Sequence, residues 1–310
     1  MRIRRTIAIA AAAGGIVLAT TAAVLPGSPV DRPQRLPALT TTGLAARYAT
    51  DSRMVARDAR SASRAGNTDL AHALDGMRGR HFIDFNPRGD GLAAEVIGNL
   101  ATAKRVAILV PGSDTSLTTF DSRGTASPQG GALALAAQAR RLDPGNHLAI
   151  IAWLGYTTPS TLSPAVMTSG DAGQGASALR PLVDDLARHG HQVALICHSY
   201  GSVICGLAAS HLPVTDIAVV GSPGMDASSA GALHTTARVW AGRGAGDWIQ
   251  YVPHIHFLGL GFGQDPMDPA FGARIFAAGS GGHSSYFKPG GISLRNLAEI
   301  ALGNTAAVTR

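Results

Sequence analysis

The sequence predicts an α/β protein, a mostly parallel sheet with helices on both faces. Three observations carry this. Short apolar runs recur along the chain, among them Val106–Val110 and Val193–Ile196, and an unbroken apolar run of that length is the pattern of a strand buried on both faces. Longer segments with helical character stand between those runs, at 132–142 and 171–189. One run ends in Cys197-His198-Ser199-Tyr200-Gly201-Ser202 and passes directly into a second small, apolar, helix-like stretch, Val203–Ala209. Strand, sharp turn with a serine at its tip, helix: that sequence of elements lifts a hydroxyl out of the backbone at the edge of a parallel sheet.

The first 25 residues stand apart from this pattern. Arg2, Arg4 and Arg5 precede an uncharged apolar run, Thr6–Leu25, which closes near the small residues Thr20–Ala23 before Pro26-Gly27. This predicts a secretory signal peptide over 1–25 and an exported protein. An uncleaved anchor is the rival, because the run approaches the ~20 residues that span a bilayer; its Ala and Gly content favours cleavage. A membrane is therefore expected as a partner only through this leader.

The leader also accounts for much of the basicity. The formal charge is +6, and three of the 26 Lys and Arg lie in the leader, leaving 23 against 20 acidic residues. No basic stripe with interleaved aromatics follows, so no nucleic-acid partner is expected. With 45% hydrophobic and 15% charged residues, the 310-residue chain has ample material for a packed core.

Residues 26–80 read as a linker and a helical preamble. Ser28–Leu39 is proline-rich. In Thr42–Arg80, Arg47, Arg53, Arg57, Arg60 and Arg64 lie among Asp51 and Asp58 at near-helical spacing, the pattern of a solvated helical face. The main domain is expected over 81–310. His81–Phe85 and Ala93–Ile97 form a hairpin around Pro87–Gly91. Val106–Val110 is a strand, Ala132–Leu142 a helix stopped by Asp143-Pro144-Gly145, and His147–Leu154 a strand. Asp171–His189 is a helix, followed by the strand leading to Ser199. Asp216–Val220, Ala237–Ala241 and Arg274–Ala277 are further strands, and Ser293–Leu302 is a closing helix.

In open parallel sheets the reactive groups gather at the carboxyl ends of the strands, so partners of Ser199 are expected in the loops there. A serine nucleophile needs a base, and the base an orienting acid; after such an elbow the chain order is Ser, Asp/Glu, His. Asp247 lies in a glycine-rich turn, 242–247, just past a strand; Asp226, one strand earlier, is its rival, and an N-cap before Trp248-Ile249 is a second role open to Asp247. Of eleven histidines, His283 sits in the glycine loop after the last strand. His198 points away from Ser199, His189 and His191 end a helix, and His254 and His256 lack a third metal ligand. Neither a metal nor a cofactor is expected. The oxyanion hole would use the N–H of Tyr200 and, from the turn Pro111-Gly112-Ser113, the N–H of Ser113. The loop Gly155–Gly170, with Met167, reads equally as a pocket wall and as an ordinary surface loop.

Cys197 stands where the elbow pattern has glycine. It ends its strand two residues before Ser199, and Cys205 lies six residues after it, about two turns into the returning helix. Rises of ~3.3 Å per strand residue and ~1.5 Å per helix residue bring the two to one level. This predicts a Cys197–Cys205 disulfide; two small buried thiols are the alternative.

With these residues assembled, the chain resembles a family of bacterial α/β-hydrolases catalogued as a domain of unknown function. The resemblance runs from about His81 to Arg310. Its carriers are Ile108–Gly112, Cys197–Ser202, Gly221-Ser222-Pro223-Gly224, Asp265-Pro266 with Phe271-Gly272, and His283–Phe287. It implies an α/β-hydrolase fold and a triad of Ser199, Asp247 and His283. The expected function is an exported serine hydrolase acting on a small-molecule or lipid ester. Acyl transfer through the same triad, and a non-catalytic binding protein on this fold, stand as alternatives.

Overall fold

A computed structural model describes residues 41–163, 167–252 and 261–310. The leader, the proline-rich linker, His254 and His256 lie outside the described residues. Eight strands form one sheet: β1 (Phe82–Asn86), β2 (Leu92–Ile97), β3 (Arg105–Val110), β4 (Leu148–Leu154), β5 (Gln192–His198), β6 (Val214–Val220), β7 (Arg238–Gly242) and β8 (Arg274–Ile275). Their order across the sheet is β1-β2-β4-β3-β5-β6-β7-β8. β1 and β2 form the expected antiparallel hairpin, and β2 also runs antiparallel to β4. Every other pair is parallel.

Among the described residues, six α-helices pack around the sheet: α1 (Thr41–Arg64), α2 (Thr68–Gly76), α3 (Pro128–Leu142), α4 (Gly170–Arg188), α5 (Gly201–Ala208) and α6 (Ile292–Leu302). The apolar runs of the sequence become two cores because successive strand side chains alternate between faces. On β3, Val106, Ile108 and Val110 enter one core, with Leu179 and Val183 of α4 and Val203 of α5. Ala107 and Leu109 enter the other, with Leu135 of α3 and Leu297 of α6. Burial on both faces is why these strands carry no polar alternation.

α1 packs against β1 of the sheet. α1 buries Leu44, Val55, Ala59 and Ala62, while Arg53, Arg57, Arg60 and Arg64 face solvent. It belongs to the same compact unit as the sheet.

Two elements differ from the sequence reading. α3 begins at Pro128 rather than Ala132, because Ser127 caps it, its hydroxyl accepting the Gly130 N–H, and proline suits the first turn. β8 is two residues long rather than four. The Ala277 N–H goes to the Thr309 carbonyl and the Asn296 amide takes the Ala277 carbonyl, so the C-terminal strand of the ladder is diverted to the chain end. No described helix is long and apolar enough to cross a membrane.

Candidate active site

β5 lies at the centre of the sheet, and Ser199 follows its last residue. Ser199 has φ +54°, a left-handed conformation that a side chain adopts only when its surroundings impose it. Here its N–H donates to the Val220 carbonyl at 3.0 Å and its carbonyl accepts the Ser202 N–H at 2.9 Å, pinning the turn between β6 and α5. The glycine after it is sterically required: a Cβ on Gly201 would stand 2.6 Å from the carbonyl oxygens of Val110 and Pro111. Cys197, in place of the usual first glycine, is joined to Cys205 by a disulfide, with 6.6 Å between their Cα atoms. The bridge ties the end of β5 to the second turn of α5.

Three chain-distant loops converge on this hydroxyl, each from the carboxyl end of its strand. The Ser199 hydroxyl and His283 Nε2 are 2.9 Å apart. His283 Nδ1 lies 2.9 and 3.0 Å from the two oxygens of Asp247. The only tautomer that satisfies both contacts has the proton on Nδ1, donated to the carboxylate, with Nε2 accepting from the serine. Asp247 is fully buried. It accepts two more hydrogen bonds, from the Ile249 N–H at 2.9 Å and from the Tyr286 hydroxyl. Burial pushes the Asp247 carboxyl up, but the bonds from His283, Tyr286 and Ile249 together outweigh it and hold the group below the usual carboxylate range. The N-cap role and the histidine-facing role thus coexist on one carboxylate, one oxygen serving both. Asp226 does not reach His283; its N–H binds the Phe262 carbonyl in a separate turn.

The turn after β3 lies against the nucleophile. A Cβ on Gly112 would sit 2.7 Å from the Ser199 Cβ and 3.1 Å from its Oγ. Ser113 and Tyr200 flank the same space and line one cavity with Ser199 and His283. Among the described residues, neither the Ser113 nor the Tyr200 N–H donates to a protein acceptor.

Three contacts of the site were not anticipated as parts of it. His198 Nε2 lies 2.8 Å from the His283 carbonyl oxygen; the sequence placed its side chain away from Ser199 but did not show what it would meet. Burial, reinforced by the neighbouring His283, pulls the His198 imidazole down to about 4, against the opposing effects of that hydrogen bond and of Asp247. Tyr286, three residues after His283, holds Asp247 and accepts the Gly244 N–H at 3.2 Å; the i, i+3 spacing was the available signal. Trp248 is 49% exposed and lies with its ring centroid 4.7 Å from that of His283.

The cavity over Ser199 has a volume of about 340 Å³. Its apolar lining includes Met167, Pro223, Trp248, Ile249, Val252 and Phe262, and most of its polar lining comes from the connection between β3 and α3. Thr161 and Met167, from the 155–170 segment, line the cavity. Among the described residues, no cluster of three His, Cys, Asp or Glu is arranged to hold a metal ion.

A serine hydroxyl bonded to an imidazole that is itself bonded to a buried carboxylate is an arrangement for acyl transfer. The chain is 34% identical over 253 residues to an uncharacterised protein of Mycobacterium tuberculosis, covering 71% of this chain and 38% of that protein. A shorter stretch of 151 residues is 31% identical to an uncharacterised protein of Mycobacterium bovis, covering 46% of this chain and 56% of the relative. The chain thus spans less than two fifths of the length of the first relative. Among solved structures it is similar to the esterase PE8, at 14% identity and TM-score 0.45 over 67% of this chain and 97% of that one. It is similar also to a dienelactone hydrolase from Anabaena variabilis, at 14% identity and TM-score 0.46 over 74% and 98%. The alpha/beta hydrolase family model matches residues 86–257, more than half of the chain, and the chain belongs to that family.

Proposed function

We propose that the protein is an exported serine hydrolase that cleaves an ester through Ser199, His283 and Asp247. The observation that carries this reading is the unbroken hydrogen-bond chain from the Ser199 hydroxyl through His283 to Asp247. His283 Nε2 takes the serine proton as Oγ attacks the ester carbonyl. The N–H groups of Tyr200 and Ser113 receive the charge that develops on the carbonyl oxygen, where fixed donors outperform water because they need no reorganisation. Asp247 keeps the histidine proton on Nδ1 and stabilises the imidazolium. The imidazolium then gives its proton to the leaving alcohol, leaving the acyl group on Ser199. Water, deprotonated by the same nitrogen, releases the acid and restores the enzyme.

The mainly apolar cavity of about 340 Å³ supports an acyl chain of moderate length. At roughly 30 Å³ per water-sized group, it holds on the order of ten non-hydrogen atoms. Export rests on the basic start and apolar run of residues 1–25. The test is an ester panel of graded chain length combined with fluorophosphonate labelling. Wild-type protein should label at Ser199 and turn over medium-chain esters, and Ser199→Ala should do neither, with kcat down by about 10⁴-fold or more. Undiminished esterase activity in Ser199→Ala refutes the assignment. N-terminal sequencing of the protein recovered from culture medium or envelope should begin after about Ala23; a full-length chain would overturn cleavage.

A further inference from the structure

We propose that Arg123 recognises an anionic group, a carboxylate or a phosphate, carried by the ester that Ser199 attacks. This rests on the hydrolase reading above and adds the class of substrate. The argument is an account of donors. The polar lining of the cavity includes Thr115, Thr119, Ser127, Thr161, Asp114 and Arg123. The hydroxyls of Thr115, Thr119, Ser127 and Thr161 are already committed. Thr115 donates to the Gly112 carbonyl at 3.1 Å, Thr119 to the Asp114 carbonyl at 3.3 Å and Ser127 to the Gly124 carbonyl at 2.6 Å. Thr161 donates its hydroxyl to the Asp114 carboxylate and its N–H to the same group at 3.1 Å.

Arg123 differs from all of these. Its Nη1 donates once, to the Asp114 carbonyl at 3.1 Å. A guanidinium carries five N–H donors, so four have no protein acceptor among the described residues. They belong to the cationic side chain in the wall of the cavity that holds Ser199. The Asp114 carboxylate accepts its hydrogen bonds from the 160–161 segment; burial pushes it up, but the bonds from Thr161 and Ser160 together with the nearby charge of Arg123 outweigh that and hold it below the usual carboxylate range. Asp114 thus shares the charge of Arg123 without accepting from its guanidinium through the carboxylate. Ser127 and Pro128, at the N-terminus of α3, line the same cavity; the first N–H groups of this 15-residue helix are spent on Phe120 and Ser127, so it adds only the positive potential of its dipole. A planar fork of unspent donors beside a positive helix end matches the paired oxygens of a carboxylate or phosphate. The apolar lining of the same cavity would take the acyl chain.

The test compares esters of one acyl group and matched leaving ability: 3-(butyryloxy)phenylacetate and 3-(butyryloxy)benzyl phosphate against the neutral 3-tolyl butyrate. In wild-type protein, kcat/KM for at least one anionic ester should exceed that of the neutral ester by roughly ten- to a hundred-fold, the range of charge-assisted hydrogen bonds. In Arg123→Met the ratio should fall to about one, Arg123→Lys should retain part of it, and raised salt should reduce it in wild type. The two anionic arms tell which anion is taken. A wild-type ratio of one or below, or a ratio unchanged in Arg123→Met, overturns the proposal. Calorimetric binding of phenylacetate and benzyl phosphate gives a second measure independent of turnover: about tenfold weaker binding in Arg123→Met supports it, and equal binding overturns it. Labelling of Ser199 separates the two readings. A labelled serine without anion preference defeats the Arg123 assignment alone, whereas absent labelling and turnover defeat the hydrolase reading.

Discussion

His198 Nε2 lies 2.8 Å from the carbonyl oxygen of His283, and the two imidazole rings are 4.8 Å apart. The residue before the candidate nucleophile therefore holds the loop that carries its partner, 85 residues away in sequence. A carbonyl accepts, so Nε2 must carry a proton and donate it. The low proton affinity of the buried ring keeps His198 neutral, which avoids a second imidazolium beside His283.

This makes His198 a positioning residue with a specific kinetic signature. His198→Leu should lower kcat by roughly 10- to 100-fold with little change in KM, because a displacement of about 1 Å at a reacting group costs on that order. His198→Gln offers an amide N–H to the same carbonyl and should recover part of the loss. Equal kcat in His198→Leu and wild type would remove the residue from the mechanism.

The same group sets an acid limit on stability. Its value falls from 6.5 to about 4 on folding, so between those values the unfolded chain binds the extra proton and the folded chain does not. Stability is fully present above pH 6.5 and declines as pH drops toward 4, by on the order of 2–3 kcal/mol. Denaturant titrations at pH 7 and pH 4.5 should show this loss in wild type and a smaller one in His198→Gln. The same pH dependence in both proteins would assign the effect elsewhere.

Tyr286 and Asp247 give a paired prediction. Asp247→Asn, which favours the wrong histidine tautomer, should cost up to about 10⁴ in kcat. Tyr286→Phe removes one donor that holds the carboxylate down, so the Asp247 group titrates at higher pH and the acid limb of the activity profile moves upward. Loss of a hydrogen bond to a charged group should also reduce stability by about 1.5–3 kcal/mol. A Tyr286→Phe protein with an unmoved acid limb would show that the remaining donors suffice.

The Cys197–Cys205 bridge closes an eight-residue separation, so its stabilisation should be only about 2–3 kcal/mol on the chain-entropy estimate. Unreduced protein, denatured and alkylated, should gain no carbamidomethyl groups, and the Cys197→Ala/Cys205→Ala variant should unfold at lower denaturant. Two alkylated cysteines in the unreduced chain would contradict the bridge.

Much of this molecule was legible because the informative residues are close in sequence or bound to periodic elements. The α/β class follows from unbroken apolar runs such as 106–110 and 193–196, which water would penalise on either face of a sheet. The elbow is local: Cys197 to Gly201 form strand end, turn and helix start within five residues. Chain order and glycine loops after strands then singled out Asp247 and His283, since both lie at carboxyl ends.

What required the tertiary structure is contact across long sequence separations. The His198–His283 carbonyl bond, the third donor from Tyr286 and the close approach of the Trp248 ring to His283 depend on how three loops meet. Single-residue types carry no signal of that meeting. The end of β8 was likewise decided by competition, because Ala277 exchanges a strand partner for Thr309 and Asn296 at the far end of the chain. The cavity around Arg123 is of the same kind: the sequence alone determined that an arginine follows Asp121 and Ser122, whereas folding decided which of its neighbours spend their hydrogen bonds on one another and leave four of the guanidinium's donors without a protein acceptor among the described residues.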